Sequence, residues 1–402
     1  MRWARTSSLS MLVAVGAISL PLLASTPSAA VASPRAAPST GSELAELEGS
    51  DLFGGSVAIS GKTAVVGAYG NYFSGATGAA YVFTNTATGW NQVAELKGSD
   101  TVAHDQFGGS VAISGTTIVV GAANHASFAG RAYVFTKTAT GWKQTAELKG
   151  SDAAAGDYFG DSVAISGTTV IVGAEGFLHH SGGRAYVFTK TGSTWNQVAE
   201  LGSSDTFFDN DFGMSVAISG TTVVVGAVGD YVGDSEFAGA AYVFTKEGAM
   251  WNQVAKLEGS DIAANDWFGS SVAISGTTAV VGAYDHAKKA GAAYVFTKTG
   301  SMWKQVAELK GSDTVAKDDF GYSVAISRTS VVVGAYQHAR KAGAAYVFSK
   351  EGATWNQVAE LKGSDTVAGD EFGASVAISG TTAVVGADLH TSDAGRAYVF
   401  EA

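Results

Sequence analysis

Five histidines, His125, His179, His286, His338 and His390, each follow a Gly-Ala step, and pairs of aspartates five residues apart each precede a Phe-Gly step. The pairs are Asp100 and Asp105, Asp152 and Asp157, Asp261 and Asp266, Asp313 and Asp318, and Asp365 and Asp370. Imidazole beside carboxylate can ligate a transition metal or move protons in general acid–base catalysis. Two carboxylates in one loop can share a cation, or they can accept backbone N–H groups at a turn and bridge neighbouring units. Recurrence of the same pair in every complete loop points to the scaffolding role. The histidines lack His-x-x-His or His-Glu-x-x-His spacing and read as surface-loop residues.

Other catalytic signatures are missing. There is no Gly-x-Ser-x-Gly elbow, no cysteine nucleophile and no phosphate loop. The stretch "FTKTGSTW" keeps the Gly192 and Trp195 of a sialidase-type Asp box but places Lys190 where the Asp belongs. No catalytic residue is assigned. The candidate binding residues are those that break the repeat: Phe207 and Phe208 in "TFFDND", Asp230 and Tyr231 in "VGDYVGDSEFA", Tyr72 in "YGNYFSGAT", and Trp267. Adjacent exposed aromatics are costly without a partner, and aromatic platforms beside polar groups suit a sugar ring or a protein surface. Asp209, Asp211 and Asp234 are the candidate metal ligands, with Glu236 nearby.

The elements that must hold these residues follow from "FGGSVAISGKTAVVGA", residues 53–68. Its Phe-Gly start returns at residues 107, 159, 212, 268, 320 and 372, at intervals of 52 to 56 residues. That is the period of a four-stranded propeller blade. Each period holds four strand-like segments of "SVAIS", "TVVVGA", "AAYVF" and "WNQVAEL" type, β-branched, aromatic or alternating. A Ser-Gly corner joins the first two, where positive φ is wanted. In the sixth repeat Arg328 replaces that glycine, which implies strain or an altered turn. The seventh repeat stops after its third strand, while "SELAELEGSD", residues 42–51, matches "NQVAELKGSD", residues 91–100. The N-terminal strand is therefore expected to complete the last blade and close a ring. The fold class is all-β: a seven-bladed β-propeller of four-stranded antiparallel blades.

The pattern "FG…SVAIS…VVVGA" with "G.AYVF" resembles the FG-GAP repeat of integrin alpha-subunit heads and, more closely, the secreted bacterial FG-GAP proteins. The likeness spans residues 43–402. It implies a seven-bladed propeller and, for bacterial members, no settled activity. Fold likeness does not transfer the integrin function. Integrin-type repeats bind Ca²⁺ through Asp-x-Asp-x-Asp-Gly loops between first and second strands; here that place is a two-residue corner without a carboxylate, so no cofactor is expected and Ca²⁺ at the usual family site is disfavoured.

Residues 1–32 read as a secretory signal peptide: Arg2 and Arg5, an apolar run, then Ala30-Val31-Ala32 as a cleavage site. Residues 33–42 form a Pro/Ala/Ser linker, and residues 43–402 the propeller. The run is too short for a convincing membrane span. With no cysteine and no hydrophobic tail or sorting motif, release from the cell is expected. The net charge of −11 becomes two units more negative once the leader is removed. Such a surface argues against nucleic acid or anionic membrane as partner. The expected protein is a secreted, monomeric, non-catalytic binding or adhesion module presenting its loop-rich face to an extracellular glycan or protein. Two alternatives stand beside it: a polysaccharide lyase or hydrolase using His179 or His180 with carboxylates of the fourth blade, and a passive component of the envelope.

Overall fold

The computed structural model describes residues 38–402 apart from 50, 71–74, 177–181, 205–209 and 231–236. Seven four-stranded antiparallel sheets follow one another in chain order. Blade one runs through Phe53–Ser60, Thr63–Ala68, Ala79–Thr86 and Gly89–Leu96. Blade seven runs through Ser375–Ser379, Thr382–Ala387 and Arg396–Glu401, and the N-terminal strand Glu43–Glu48 is its fourth. That strand pairs Glu46 with Tyr398 and Leu47 with Ala397, so the ring closes as the sequence match requires.

Burial explains the composition of each strand. The second strands are continuously apolar because both faces are covered; Val223, Val224 and Val225 are fully buried. The core is divided into clusters shared by adjacent blades. In one of them Val65, Val82 and Leu96 of blade one meet Phe107, Ile118, Val120, Tyr133 and Phe135 of blade two. Phe107 lies 5.5 Å from the Tyr133 ring and 6.1 Å from the Phe135 ring, and the same trio recurs around the ring. Each blade completes its neighbour's core, which is why no blade can be left with an open edge.

Two closed cycles of hydrogen bonds run round the propeller. In the first, Ser56 Oγ donates to the Gly108 carbonyl of the next blade at 2.8 Å, and Ser110, Ser162, Ser215, Ser271 and Ser323 repeat the step until Ser375 Oγ reaches Gly54 O at 2.7 Å. In the second, the corner amide of each blade donates to the last serine of the preceding first strand. Gly115 N reaches Ser60 Oγ at 3.1 Å, and Gly61 N closes the cycle on Ser379 Oγ at 3.0 Å. Arg328 N makes the same bond to Ser275 Oγ, at 3.1 Å. Its φ of 57° is the corner value that the glycines of the other blades take, so the side chain occupies the left-handed region at a cost of roughly 1 kcal/mol. Arg328→Gly should therefore raise stability by roughly 0.5–1 kcal/mol, read as a higher denaturant midpoint at unchanged m-value; a lower midpoint would show that the arginine side chain makes a compensating contact.

Candidate functional site

The face bearing the inter-blade loops and the second-to-third-strand loops carries two systems. The outer one contains the Asp pairs and the histidines. In blade two, Asp105 Oδ2 accepts the Val102 amide at 2.7 Å and meets His125 Nδ1 at 2.8 Å, while Asp100 Oδ1 accepts the Tyr133 hydroxyl at 2.8 Å. The arrangement repeats with His286, His338 and His390. The scaffolding reading of the Asp pairs is thus what the bonds display. The surface reading is overturned for three of the five histidines: His286, His338 and His390 are 8%, 9% and 6% exposed. Their burial comes from a tight turn after the second strand, in which three consecutive residues, Ala287, Lys288 and Lys289, adopt positive φ and fold the ring back onto the second Asp. His179 and His180 lie outside the described residues.

Blade four replaces this network. Asp230 takes the Tyr242 hydroxyl at 2.6 Å and the Lys256 ammonium at 2.9 Å and is fully buried. Lys256 stands where Glu147 and Glu308 stand in their blades. Asp230 is thus a buried anchor whose Oδ2 is taken by both partners, and burying a carboxylate is costly unless it is paired in this way. Phe207, Phe208, Asp209, Tyr231, Asp234, Glu236, Tyr72 and Phe73 lie outside the described residues.

Of the inner system the sequence singled out only isolated residues, Trp267 among them. The first strands of all seven blades line a central channel, a cavity of about 280 Å³. Each Phe-Gly step is the middle of a turn: Gly55 N donates to Leu52 O at 3.2 Å, and Gly54, with φ 98°, holds the third position, which favours glycine in such turns. The residues flanking the step, with the residue after Gly-Ala, stand together at the channel mouth. A Cβ on Gly55 would lie 2.2 Å from the Tyr69 ring, which fixes this proximity. These are the positions that vary while the motif around them does not.

Aromatics occupy one arc of the mouth. Trp267 and Tyr284 have ring centroids 5.6 Å apart, Tyr284 and Tyr322 5.3 Å, and Tyr322 and Tyr336 4.3 Å, a continuous row over blades five and six. Trp267 is half-buried and Tyr322 is 39% exposed. Carboxylates occupy several of the other positions, interspersed with residues such as Leu52, Gln106, Tyr69 and Tyr158. Asp388 accepts the Tyr69 hydroxyl at 3.0 Å, and burial raises its pKa despite that bond. Asp319 is buried beside Gln337, and its pKa is raised for the same reason. Asp161 opens onto the channel and is exposed to it, and desolvation by the strands that line the channel raises its pKa. Glu175 is raised by burial and then by repulsion from Asp161 and Asp211. Asp161 and Glu175 titrate as a pair. None of the mouth positions carries Lys or Arg; Lys341 reaches Glu371 from the adjacent turn, at 2.7 Å.

The Phe-Gly turn of one blade sits against the Gly-Ala of the blade before it, seven times over, and the FG-GAP repeat family matches residues 46–83, 90–135, 142–188, 195–244, 251–296, 303–348 and 355–400. The chain belongs to the FG-GAP repeat family. No curated protein matches this FG-GAP chain. Among its described residues no helix is long and apolar enough to cross a membrane.

The raised pair makes a pH prediction for the FG-GAP propeller. A carboxyl whose folded pKa lies above its unfolded value stabilises the fold while protonated, and that contribution is lost as pH rises through the folded value. Asp161→Asn and Glu175→Gln should raise the melting midpoint at about pH 9 and leave it nearly unchanged at about pH 4. Equal shifts at both values in a pH series of thermal melts would contradict the assignment.

Proposed function

We propose that this FG-GAP propeller is a secreted, non-catalytic binding module whose ligand, an extracellular glycan or protein, docks at the channel mouth. The observation that carries the reading is the row Trp267, Tyr284, Tyr322 and Tyr336 at a channel mouth that also holds carboxylates such as Asp161, Glu175, Asp319 and Asp388. Ring faces present large rigid area at low entropic cost, and Tyr and Trp also offer polar edges, the combination that anchors recognition sites. Carboxylates at the same mouth accept hydrogen bonds from hydroxyl or amine groups of a sugar or of a protein side chain. Residues 1–32, read as a leader, support export.

A second reading rests on a different observation. Two neighbouring carboxyls held above their ordinary range are the apparatus of acid–base cleavage, and Asp161 with Glu175 supplies an asymmetric pair that the repeated Asp loops do not. In that reading the propeller is a polysaccharide hydrolase or lyase with its site at the same mouth.

Glycan arrays and cell-wall pull-downs, run beside reducing-sugar and unsaturated-product assays, separate the two. The triple variant Trp267→Ala, Tyr322→Ala, Tyr336→Ala should weaken binding at least about tenfold with the assembled ring intact by gel filtration. Retained affinity would move the site away from the mouth, and a Phe207→Ala, Phe208→Ala, Tyr231→Ala variant then tests the blade-four loops. Turnover that is lost in Glu175→Gln would establish the enzymatic reading instead.

A further inference from the structure

Blades five and six contain a cluster that the scaffolding role of the Asp pairs does not use up. His286 Nδ1 is held by Asp266 Oδ2 at 2.8 Å, which turns Nε2 toward Asp261 Oδ2, 3.6 Å away. Glu308 completes the group, with one donor atom from each of the three within 4.8 Å of the others. Blade six repeats it: His338 Nδ1 on Asp318 at 2.9 Å, Nε2 3.7 Å from Asp313 Oδ2, and Glu360 as the third member. A separation of 3.6–3.7 Å is too long for a hydrogen bond. It is close to the spacing of two donors on one tetrahedral ion with bonds of about 2.0–2.1 Å. Each histidine residue is buried, so its Nε2 is committed to this cluster, and the outer carboxylate fixes the tautomer as it does behind metal-bound histidines.

The other blades show what the cluster requires. In blade seven the third strand opens with Arg396, whose Nη1 lies 2.6 Å from Asp365 Oδ2 and 2.9 Å from Glu46 Oε2. Those carboxylates are the counterparts of Asp261 and Glu308. In blade two, Arg131 Nε binds Glu147 at 2.8 Å from the same position. Arg184 binds Glu200 likewise in blade three, and Lys256 supplies the charge in blade four. Blades five and six have Ala292 and Ala344 at that place. Only the lysines Lys310 and Lys362, both about half exposed, reach Glu308 and Glu360 from beyond the strand.

We propose that blades five and six each carry a divalent transition-metal site. His286 Nε2, Asp261 and Glu308 form the first, and His338 Nε2, Asp313 and Glu360 the second, with the ion taking the place that an arginine guanidinium fills in blades two, three and seven. A set of one imidazole and two carboxylates with an open position suits a zinc-like ion; a hard cation such as Ca²⁺ would ask for oxygens alone. Closing the set requires a rotation of the Glu side chain and displacement of the lysine ammonium.

The test is calorimetric titration of the full chain with Zn²⁺, with Ca²⁺ run in parallel. Saturable micromolar binding of roughly two ions per chain is expected, with a raised melting midpoint. The double variant Ala292→Arg, Ala344→Arg should lose this binding and still melt cooperatively, and Arg396→Ala should add a further ion. Should the arginine variant fail to fold, His286→Gln with His338→Gln repeats the loss arm. Absence of saturable Zn²⁺ binding, binding that survives these substitutions, or occupation by Ca²⁺ in place of Zn²⁺ would overturn the proposal.

Discussion

The structure depends on a close approach that only glycine permits. The Gly54 carbonyl must accept Ser375 Oγ while passing the backbone of Gly386, where a Cβ would lie 1.9 Å from that same oxygen. The same contact recurs at Gly67 against Gly108 and at Gly121 against Gly160. With no Cβ on one side and a serine hydroxyl on the other, successive first strands are locked at a fixed distance round the axis. Gly costs more backbone entropy on folding than any other residue. Here the expense is offset by a cycle in which every latch fixes the geometry of the next. The repeated Phe acts from the other side of the turn. Its ring enters the core shared with its own blade's third strand and sets how far the turn can rise.

That constraint explains where variation is tolerated. The residue before each Phe-Gly step holds positive φ in all seven blades, from 50° at Asp211 to 64° at Leu52. The backbone is dictated by the turn and the latch, so the side chain is free to differ, and Leu, Gln, Tyr, Asp, Trp, Asp and Glu occupy the seven places. A left-handed backbone is uncommon outside Gly, Asn and Asp. Holding Trp267 or Tyr158 there is a local strain of the kind that collects at functional sites. The fold thus presents variable side chains at its most rigid point, the inner ends of the first strands.

The architecture was largely legible because the information is local. The period, the Ser-Gly corners and the match between residues 42–51 and 91–100 gave blade number and ring closure. The glycine-like corner of Arg328 could be read from one replaced residue. The burial of His286, His338 and His390 could not, since it depends on a turn of three residues at positive φ within "HAKK" and its relatives, a conformation with no glycine to announce it. The channel mouth was missed for another reason. Its residues are separated by 2 and 13 positions within a repeat and by whole blades between repeats, and they sit inside the most constant stretch of the chain. Attention to long, irregular loops passes over them. The usable signal was the variability of single positions flanking an invariant step, which marks a side chain that the fold leaves unassigned. The burial of Asp230 was not legible either, because it depends on the partners Tyr242 and Lys256, which lie on later strands of the blade.

Charge is handled differently at the rim and at the hub. At the rim several changes are balanced within their blade: Lys256 replaces a glutamate where Asp230 enters the core, and Arg131 or Arg396 appears where carboxylates crowd a histidine. Such compensation is expected wherever acidic groups serve packing alone, since a buried carboxylate without a counter-charge is costly. At the hub the compensation stops short. Around a channel whose mouth positions contain no basic residue, Asp161 is raised by desolvation, and Glu175 by burial and then by repulsion from Asp161 and Asp211. A scaffold could relieve that repulsion with one lysine at any of several surface-facing positions, as blade four relieves its own. The place where the backbone latch leaves side-chain identity open is thus also the place where acidic side chains stand with no lysine or arginine among the neighbouring mouth positions.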